Sequence, residues 1–145
     1  MKRLFLLFVL FAPNLQAEIY PIEEFSLDNY QGKVVYLDFW ASWCKPCQKS
    51  FPWMNELSKR LPAEEFKVVT INVDQNAEDM HQFLAKTPAN FDIFHDASGR
   101  IAQQFKLEGM PTSFLIDRNG KVHSKHIGFY EKKKLKLESE IESLL

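Results

Sequence analysis

The chain has 145 residues, of which 46% are hydrophobic and 26% are charged, with a formal net charge of −1. This length supports one hydrophobic core and is too short for two comfortable domains. The charge balance gives no reason to expect a nucleic-acid partner, and the short lysine run at residues 132–134 is typical of a solvated helix face, because glutamates follow it.

The first 17 residues differ in composition from the rest of the chain. The basic residues Lys2 and Arg3 precede an apolar stretch at residues 4–12, and small residues follow near Ala17. This order predicts a secretory signal peptide over residues 1–17 that is cleaved after Ala17. The alternative is an uncleaved N-terminal anchor, and only in that case would the protein contact a membrane. Both place the domain outside the cytoplasm, where disulfides persist.

The domain that remains after cleavage, residues 18–145, begins with an extended segment. Residues 18–25 predict an edge strand, and residues 26–33 a loop. Residues 34–40 are almost all apolar, which is typical of a strand covered on both faces. Asp38 interrupts this run. A buried carboxylate that is charged and unpaired is costly, so its pKa usually rises instead.

A helix is predicted from about Lys45, with apolar residues at helical spacing and Pro52 inside it. Residues 66–73 form a second continuous apolar run and predict another buried strand. Residues 77–86 have the spacing of a short amphipathic helix. Alternation of strands and helices favours parallel crossover connections.

The second half of the chain predicts an antiparallel pair of strands and a closing helix. An Asn-Gly turn at residues 118–121 separates two strand-like runs, residues 113–117 and 122–127. Residues 131–145 have helical spacing. A short strand and a weak helix are predicted before the pair, at residues 91–95 and 98–105. The expected fold class is therefore α/β, with a mixed central sheet flanked by helices on both faces.

The only two cysteines, Cys44 and Cys47, are separated by two residues at the predicted start of the first helix. Cysteines at this spacing can form a disulfide and reopen it, if the first sulfur is exposed and the second lies one turn behind it. Backbone N–H groups at the helix N-terminus, together with neighbouring Lys45, favour the thiolate of Cys44. Such settings lower a cysteine pKa from about 8.5 to about 3.5–7.5.

Two other interpretations of the cysteine pair compete with the redox one. A structural zinc site needs four ligands, and the histidines offer no typical second pair, since His123 and His126 are separated by only two residues. An inert structural disulfide is the other, although it seldom has this spacing and a Trp-rich flank. A metal is therefore not expected.

The segment Phe39-Trp40-Ala41-Ser42-Trp43-Cys44-Lys45-Pro46-Cys47 resembles the active-site motif of the thioredoxin superfamily, and Gly109-Met110-Pro111-Thr112 resembles the loop that carries its cis-proline. The predicted signal peptide and the segment Pro111-Thr112-Ser113-Phe114-Leu115-Ile116-Asp117 resemble the corresponding segments of the TlpA/ResA-like branch. The resemblance covers nearly all of residues 18–145 and implies a thioredoxin fold. Several members of that branch serve cytochrome c maturation. One departure is that the lysine that partners the buried acid of thioredoxins aligns with Thr70.

The resemblance implies a role for each site residue. Cys44 is the expected nucleophile and Cys47 the resolving thiol, and Asp38 matches the buried acid that would take the proton of Cys47. The alternative for Asp38 is a purely structural acid. Trp43, Met110 and Pro111 are expected to line the substrate groove.

The expected function is that of an extracytoplasmic thiol-disulfide oxidoreductase without a cofactor, a monomer that reduces disulfides of partner proteins and is recharged by an upstream thiol donor. A thiol peroxidase on the same fold and a non-catalytic metal-binding module that uses both thiols are the alternatives. The motifs do not distinguish a reductase from an oxidase, because about 30 mV of potential corresponds to only about 1.4 kcal/mol for this couple.

Overall fold

The computed structural model describes residues 17–145, so the predicted signal peptide lies, except for Ala17, outside the described residues. A six-stranded mixed sheet with the order β1-β4-β3-β2-β5-β6 forms its centre. The strands are β1 (Ile19–Pro21), β2 (Val34–Trp40), β3 (Phe66–Asn72), β4 (Asp92–His95), β5 (Thr112–Ile116) and β6 (Val122–Ile127). The helices are α1 (Lys45–Arg60), α2 (Ala77–Lys86), α3 (Arg100–Gln104) and α4 (Lys134–Leu144).

The sheet combines parallel and antiparallel pairing, as the order of the predicted elements indicates. The pairs β1–β4, β4–β3 and β3–β2 are parallel, whereas β5 is antiparallel to both β2 and β6. The predicted edge strand is confirmed but is only three residues long, and the predicted loop that follows contains a 3₁₀ turn at Leu27–Tyr30. A second 3₁₀ turn, at Ile22–Glu24, replaces the rest of the predicted edge strand, whereas the other predicted strands and helices are present with small differences at their ends.

Strand β2 lies at the centre of the sheet, and all seven of its residues are buried. It pairs with β3 on one side and β5 on the other, so the continuous apolar run is explained by cover on both faces. Asp38 pairs in register with Thr70 of β3 and Ser113 of β5. The one acid of β2 therefore lies in a central strand, with a paired strand on each side.

Helices cover both faces of the sheet, as expected. Tyr36 and Trp40 of β2 face a core cluster that includes buried residues of α1, α2 and α4. Leu37 and Phe39 face the opposite cluster, to which α3 contributes Ile101. Alternate residues of β2 thus serve two cores, which is the period-2 geometry of a strand.

Helix α1 crosses the first face between α2 and α4. Its Phe51 ring packs edge-on against Phe83 of α2, with ring centroids 5.0 Å apart. On the other side, the Trp53 indole N–H donates to Glu138 of α4 at 2.8 Å, and Arg60 forms a 2.8 Å salt bridge with the same carboxylate. These contacts fix the middle and the C-terminal end of α1 against the two neighbouring helices. Within residues 17–145, no helix is long and apolar enough to cross a membrane.

Candidate active site at the start of helix α1

The two cysteines form a disulfide at the N-terminus of α1. Their Cα atoms are 5.3 Å apart and their sulfurs 2.11 Å apart. Cys44 is the N-cap residue of α1, and its Sγ accepts a hydrogen bond from the Cys47 N–H at 3.3 Å. This backbone donor would stabilise negative charge on the first sulfur when the pair is reduced, because a hydrogen bond to the charged form favours that form.

Burial separates the two sulfurs, but less than the sequence interpretation assumed. Cys47 is fully buried, and Cys44, expected to be exposed, is only 4% exposed in the disulfide. The reason is that both side chains pack into the core cluster beneath α1. The exposed groups are their neighbours: Trp43 is 68% exposed, and Lys45 is exposed as well. A partner would therefore meet Trp43 and the rim of Cys44 first.

A buried carboxylate holds the loop that leads into Cys44, and sequence reasoning did not identify it. Asp74, which is 3% exposed, accepts from the Ser42 N–H at 2.9 Å and from the Ser42 hydroxyl at 2.8 Å. Asn72 donates its side-chain amide to the same carboxylate at 2.7 Å. The signal available in the sequence was position: both residues lie at the carboxyl end of β3, where open α/β sheets place their sites.

Asp38 is 1% exposed and lies on the sheet face that α1 covers, the same face on which Cys47 is buried. Burial raises the pKa of its carboxyl well above the usual value. Within the described residues, its Oδ2 has no hydrogen-bond partner. The neighbouring Thr70 hydroxyl instead accepts from the Trp40 indole at 3.1 Å. No cation therefore compensates the charged form of Asp38 from the position that carries lysine in thioredoxins.

The Met110–Pro111 peptide bond is cis, as the resemblance implies. Thr112, the next residue, pairs with Phe39 of β2, so the loop lies at the end of the sheet from which the chain continues to Cys44. Pro111 is buried, and Met110 is partly buried against both core clusters. The two distant motifs of the sequence are thus brought to one end of the molecule.

The histidines make ordinary local contacts. His95 is 2.7 Å from the Asp74 carbonyl oxygen, and His126 lies 2.9 Å from Glu140. In the part of the chain that the structure describes, no group of three or more His, Cys, Asp or Glu side chains is arranged to hold a metal ion. The redox-active group that the structure shows at this site is the Cys44–Cys47 disulfide.

Comparison with known proteins agrees with this geometry. The family model described as the AhpC/TSA family matches residues 11–125. A thiol-disulfide oxidoreductase ResA of Bacillus cereus is 33% identical over 124 residues, which cover 86% of this chain and 72% of that protein. ResA of Bacillus subtilis is 32% identical over 111 residues, which cover 77% of this chain and 62% of that protein.

Solved structures with the same fold show a similar relationship. A Chlorobium tepidum protein described as a thiol:disulfide interchange protein DsbE is 48% identical, with a TM-score of 0.79 over 81% of this chain and 84% of that one. The exposed lipoprotein thioredoxin Etrx1 of Streptococcus pneumoniae is 30% identical, with a TM-score of 0.70 over 81% and 90%. The chain therefore belongs to the AhpC/TSA family of the thioredoxin superfamily and, within it, to the thiol-disulfide oxidoreductases of the ResA and DsbE type.

Proposed function

We propose that this protein is an extracytoplasmic reductase that transfers electrons from an upstream thiol donor to disulfides of partner proteins. The observation that carries the proposal is the Cys44–Cys47 disulfide at the N-terminus of α1, with one sulfur at the surface rim and the other fully buried. Such a pair can hold two electrons as a dithiol and release them by closing.

The reaction begins with the reduced protein. The Cys44 thiolate attacks one sulfur of the partner disulfide, forming a mixed disulfide and releasing the other partner sulfur as a thiolate, which water protonates. Cys47 then loses its proton and attacks the Cys44 sulfur, which releases the second partner thiolate and closes the Cys44–Cys47 disulfide. The partner gains two electrons, and this chain loses two. A donor dithiol reverses both steps.

Cys44 is assigned as the nucleophile because it is the more exposed sulfur and the one that accepts the backbone N–H. Cys47 is enclosed, so only a sulfur already attached to Cys44 comes within its reach. Asp38 is assigned as the base for Cys47, since a carboxylate with a raised pKa is a stronger base once it is ionised. Its burial on the same sheet face supports this role.

Exposed Trp43, the partly buried Met110 and the backbone at Pro111 are assigned to substrate binding. All three border the end of the sheet at which Cys44 lies. Trp43 and Met110 supply apolar contact area for a polypeptide. Extracytoplasmic placement is supported by the N-terminal sequence of residues 1–17 and by likeness to an exposed lipoprotein thioredoxin. A role in cytochrome c maturation is part of the proposal through the ResA resemblance.

The reduction potential of the Cys44–Cys47 pair tests the direction of transfer. The protein is equilibrated with dithiothreitol or glutathione redox buffers, and the disulfide fraction is measured. The reduction potential of the dithiol/disulfide pair is about −270 mV in thioredoxin and about −120 mV in the strong oxidant DsbA. We expect a value nearer to the former. A value near that of DsbA, with net oxidation of dithiol substrates, would instead indicate an oxidase.

Two further assays separate the reductase from the alternatives. Hydrogen peroxide consumption faster than reduction of a disulfide-bonded protein would indicate a thiol peroxidase. Tight copper or zinc binding by the reduced protein without any disulfide reduction would indicate a metal-binding module. The reductase proposal requires disulfide reduction to be the fastest of these activities, and it requires Cys44→Ser to abolish that reduction.

A further inference from the structure

A cleft lies beside the redox site on the α4 side of α1. It has a volume of about 370 Å³ and is lined by Lys49 of α1 and by residues Phe129, Tyr130, Glu131 and Lys132, which precede α4. We call it the lysine cleft. We propose that the lysine cleft docks an acidic segment of the partner protein while Cys44 attacks the disulfide of that partner. This inference rests on the proposed function.

The cleft adjoins the catalytic groove. Lys49 is five residues beyond Cys44, which places it about 7.5 Å along the helix axis from Cys44. At the opposite wall, the Gly128 N–H donates to the Pro111 carbonyl at 2.8 Å, so the segment leading into the cleft is bonded to the cis-proline loop. The lysine cleft therefore lies next to the cis-proline loop, where a partner polypeptide is proposed to bind.

The walls of the cleft combine an exposed ring with lysines. Tyr130 is 54% exposed, and Phe129 forms a buried floor. The Tyr130 ring packs on Gly128, where a Cβ would meet it at 3.0 Å, and Lys133 places its Nζ 5.0 Å from the ring centroid. The ring is thus held in place before any partner arrives, and it offers apolar surface surrounded by positive charge.

The positive charge at the cleft is not neutralised within the described chain. Lys45 and Lys49 lie one turn apart on the same side of α1, and both are exposed, as are Lys132 and Lys133. None of these four takes part in a salt bridge among residues 17–145. The one acid of the cleft, Glu131, pairs with Lys134 at 2.7 Å.

This local charge contrasts with its surroundings. The whole chain carries a net charge of −1, so a group of free lysines is not a consequence of general basicity. On the other side of α1, the cleft next to Trp43 is lined by the acids Asp74 and Asp79. The charge around Cys44 is therefore polarised, and a carboxylate-rich segment is attracted to the α4 side only. Such fields raise association rates by about 10- to 1,000-fold.

Disulfide-linked peptides of matched sequence test the proposal. One peptide carries glutamates beside the disulfide and the other carries glutamines at the same positions, and kcat/KM is measured for both at low salt. We expect the ratio of glutamate to glutamine peptide to be about 10. It should fall towards one in high salt, since the Debye length shrinks from about 10 Å at 0.1 M to about 3 Å at 1 M.

The variant Lys49→Glu/Lys132→Glu should reduce the ratio to one or below. The matched control, Lys59→Glu/Lys121→Glu, changes the net charge by the same amount at the last turn of α1 and at the β5–β6 turn. It should keep at least half of the wild-type ratio. Using a ratio cancels any general loss of activity, and thermal unfolding by circular dichroism checks that both variants are folded.

A wild-type ratio near one at low salt would overturn the proposal, and so would an equal loss in the control variant. If neither peptide is reduced, the proposed function fails separately. Binding then decides the docking question: peptides with serine in place of cysteine are titrated by NMR, and the glutamate peptide should shift the amide signals of Lys49 and Tyr130. Absence of those shifts would also overturn the proposal.

Discussion

At the scale of single residues, the properties of the site follow from where each group lies relative to α1. Cys44 is at the N-cap, Cys47 is one turn inside, and Asp38 lies on the sheet face that α1 covers. A backbone N–H stabilises the first sulfur, whereas enclosure destabilises charge on the other two groups. Neighbouring ionisable groups of one site are therefore expected to differ: charge is favoured on Cys44 and disfavoured on Cys47 and Asp38.

Replacing Lys45 by Glu should raise the pKa of the Cys44 thiol in the reduced protein. Lys45 is the first residue of α1, and reversing its charge places a carboxylate beside the thiolate. Because the charge at position 45 lies in solvent, which screens it, the expected increase is about half a pH unit. The ultraviolet absorbance of the thiolate, followed across pH, measures it. Lys59→Glu, at the other end of α1, is the control. An unchanged titration would show that Lys45 does not stabilise the thiolate.

The Cys47→Ser variant should accumulate mixed disulfides with partner proteins through Cys44, whereas Cys44→Ser should not. The reason is that Cys44 retains some exposure and Cys47 has none. Non-reducing electrophoresis after incubation with a disulfide-bonded protein shows the adducts. Equal trapping by both variants would mean that the assigned order of attack is wrong.

Asp38→Asn should stabilise the fold increasingly as pH rises. Burial raises the folded pKa of Asp38 above its unfolded value, so the native state holds a proton that the unfolded state releases. Below the unfolded pKa, about 4, Asp38 does not lower the free energy of unfolding of the wild type. Above it, that free energy falls by up to about 1.4 kcal/mol per pH unit until the folded pKa is reached. Asparagine does not titrate and avoids this loss.

Denaturant unfolding of both oxidised proteins at pH 5 and pH 9 measures the difference, which should be larger at pH 9. In the reduced proteins, stopped-flow kinetics should show slower resolution of the mixed disulfide in Asp38→Asn and a nearly unchanged first attack. A variant that is no more stable at pH 9 and resolves at the wild-type rate would show that Asp38 is structural.

At the scale of elements, the junction of β2 with α1 depends on β3. The loop from Trp40 to Cys44 is anchored to the end of β3 by two hydrogen bonds from Ser42 to Asp74 and by the Val73 N–H, which donates to the Trp40 carbonyl at 3.0 Å. Both carboxylate oxygens of Asp74 accept hydrogen bonds, from Ser42 and from the Asn72 amide, because an ionised carboxylate has no hydrogen to donate. An asparagine at position 74 would place its side-chain NH₂ group against one of these donors, and two donors cannot form a hydrogen bond.

Asp74→Asn should therefore destabilise the fold by about 1–3 kcal/mol, the usual effect of leaving buried polar groups unpaired. Ser42→Ala, which keeps the backbone hydrogen bond, should have a smaller effect in the same direction. Asp79→Asn removes a nearby acid in the first turn of α2 and should change stability by only about 0.3–1 kcal/mol. Thermal unfolding of the three variants at one pH compares them, and similar losses in all three would contradict the anchoring role.

At the scale of the whole molecule, α4 closes the same sheet face that carries the redox site. Leu137 is 4% exposed and Ile141 1%, whereas Leu135 is 82% exposed. One stripe of the helix therefore packs on the core, and the bond from Trp53 to Glu138 ties it to α1. This packing also positions the segment before α4, which forms the lysine cleft.

Leu137→Ala should lower the free energy of unfolding by about 2–5 kcal/mol, because it leaves a cavity in the core. The matched control Leu135→Ala should stay within about 0.5 kcal/mol of wild type, since that side chain lies in solvent. Denaturant unfolding measures both. Equal effects at the two positions would mean that α4 does not pack as the structure has it.

The amino-acid pattern alone was enough to predict the elements and the redox motif of this protein. Continuous apolar runs are sufficient to define β2 and β3, since strands covered on both faces require them, and the Asn-Gly turn predicts the β5–β6 hairpin. The cysteine spacing indicated one half of the site, and the resemblance of residues 109–112 to a cis-proline loop indicated the other half.

The contacts between these elements are decided by the tertiary structure. The near-complete burial of Cys44, the hold of Asp74 on Ser42 and the lysine cleft beside Pro111 all depend on residues far apart in the chain. Such contacts arise from strand order and helix packing, which bring the end of β3 and the segment before α4 to opposite sides of α1. Local sequence patterns do not predict these contacts. Hydrophobic periodicity indicates which face of a helix or strand a residue occupies, but not which residue it contacts there.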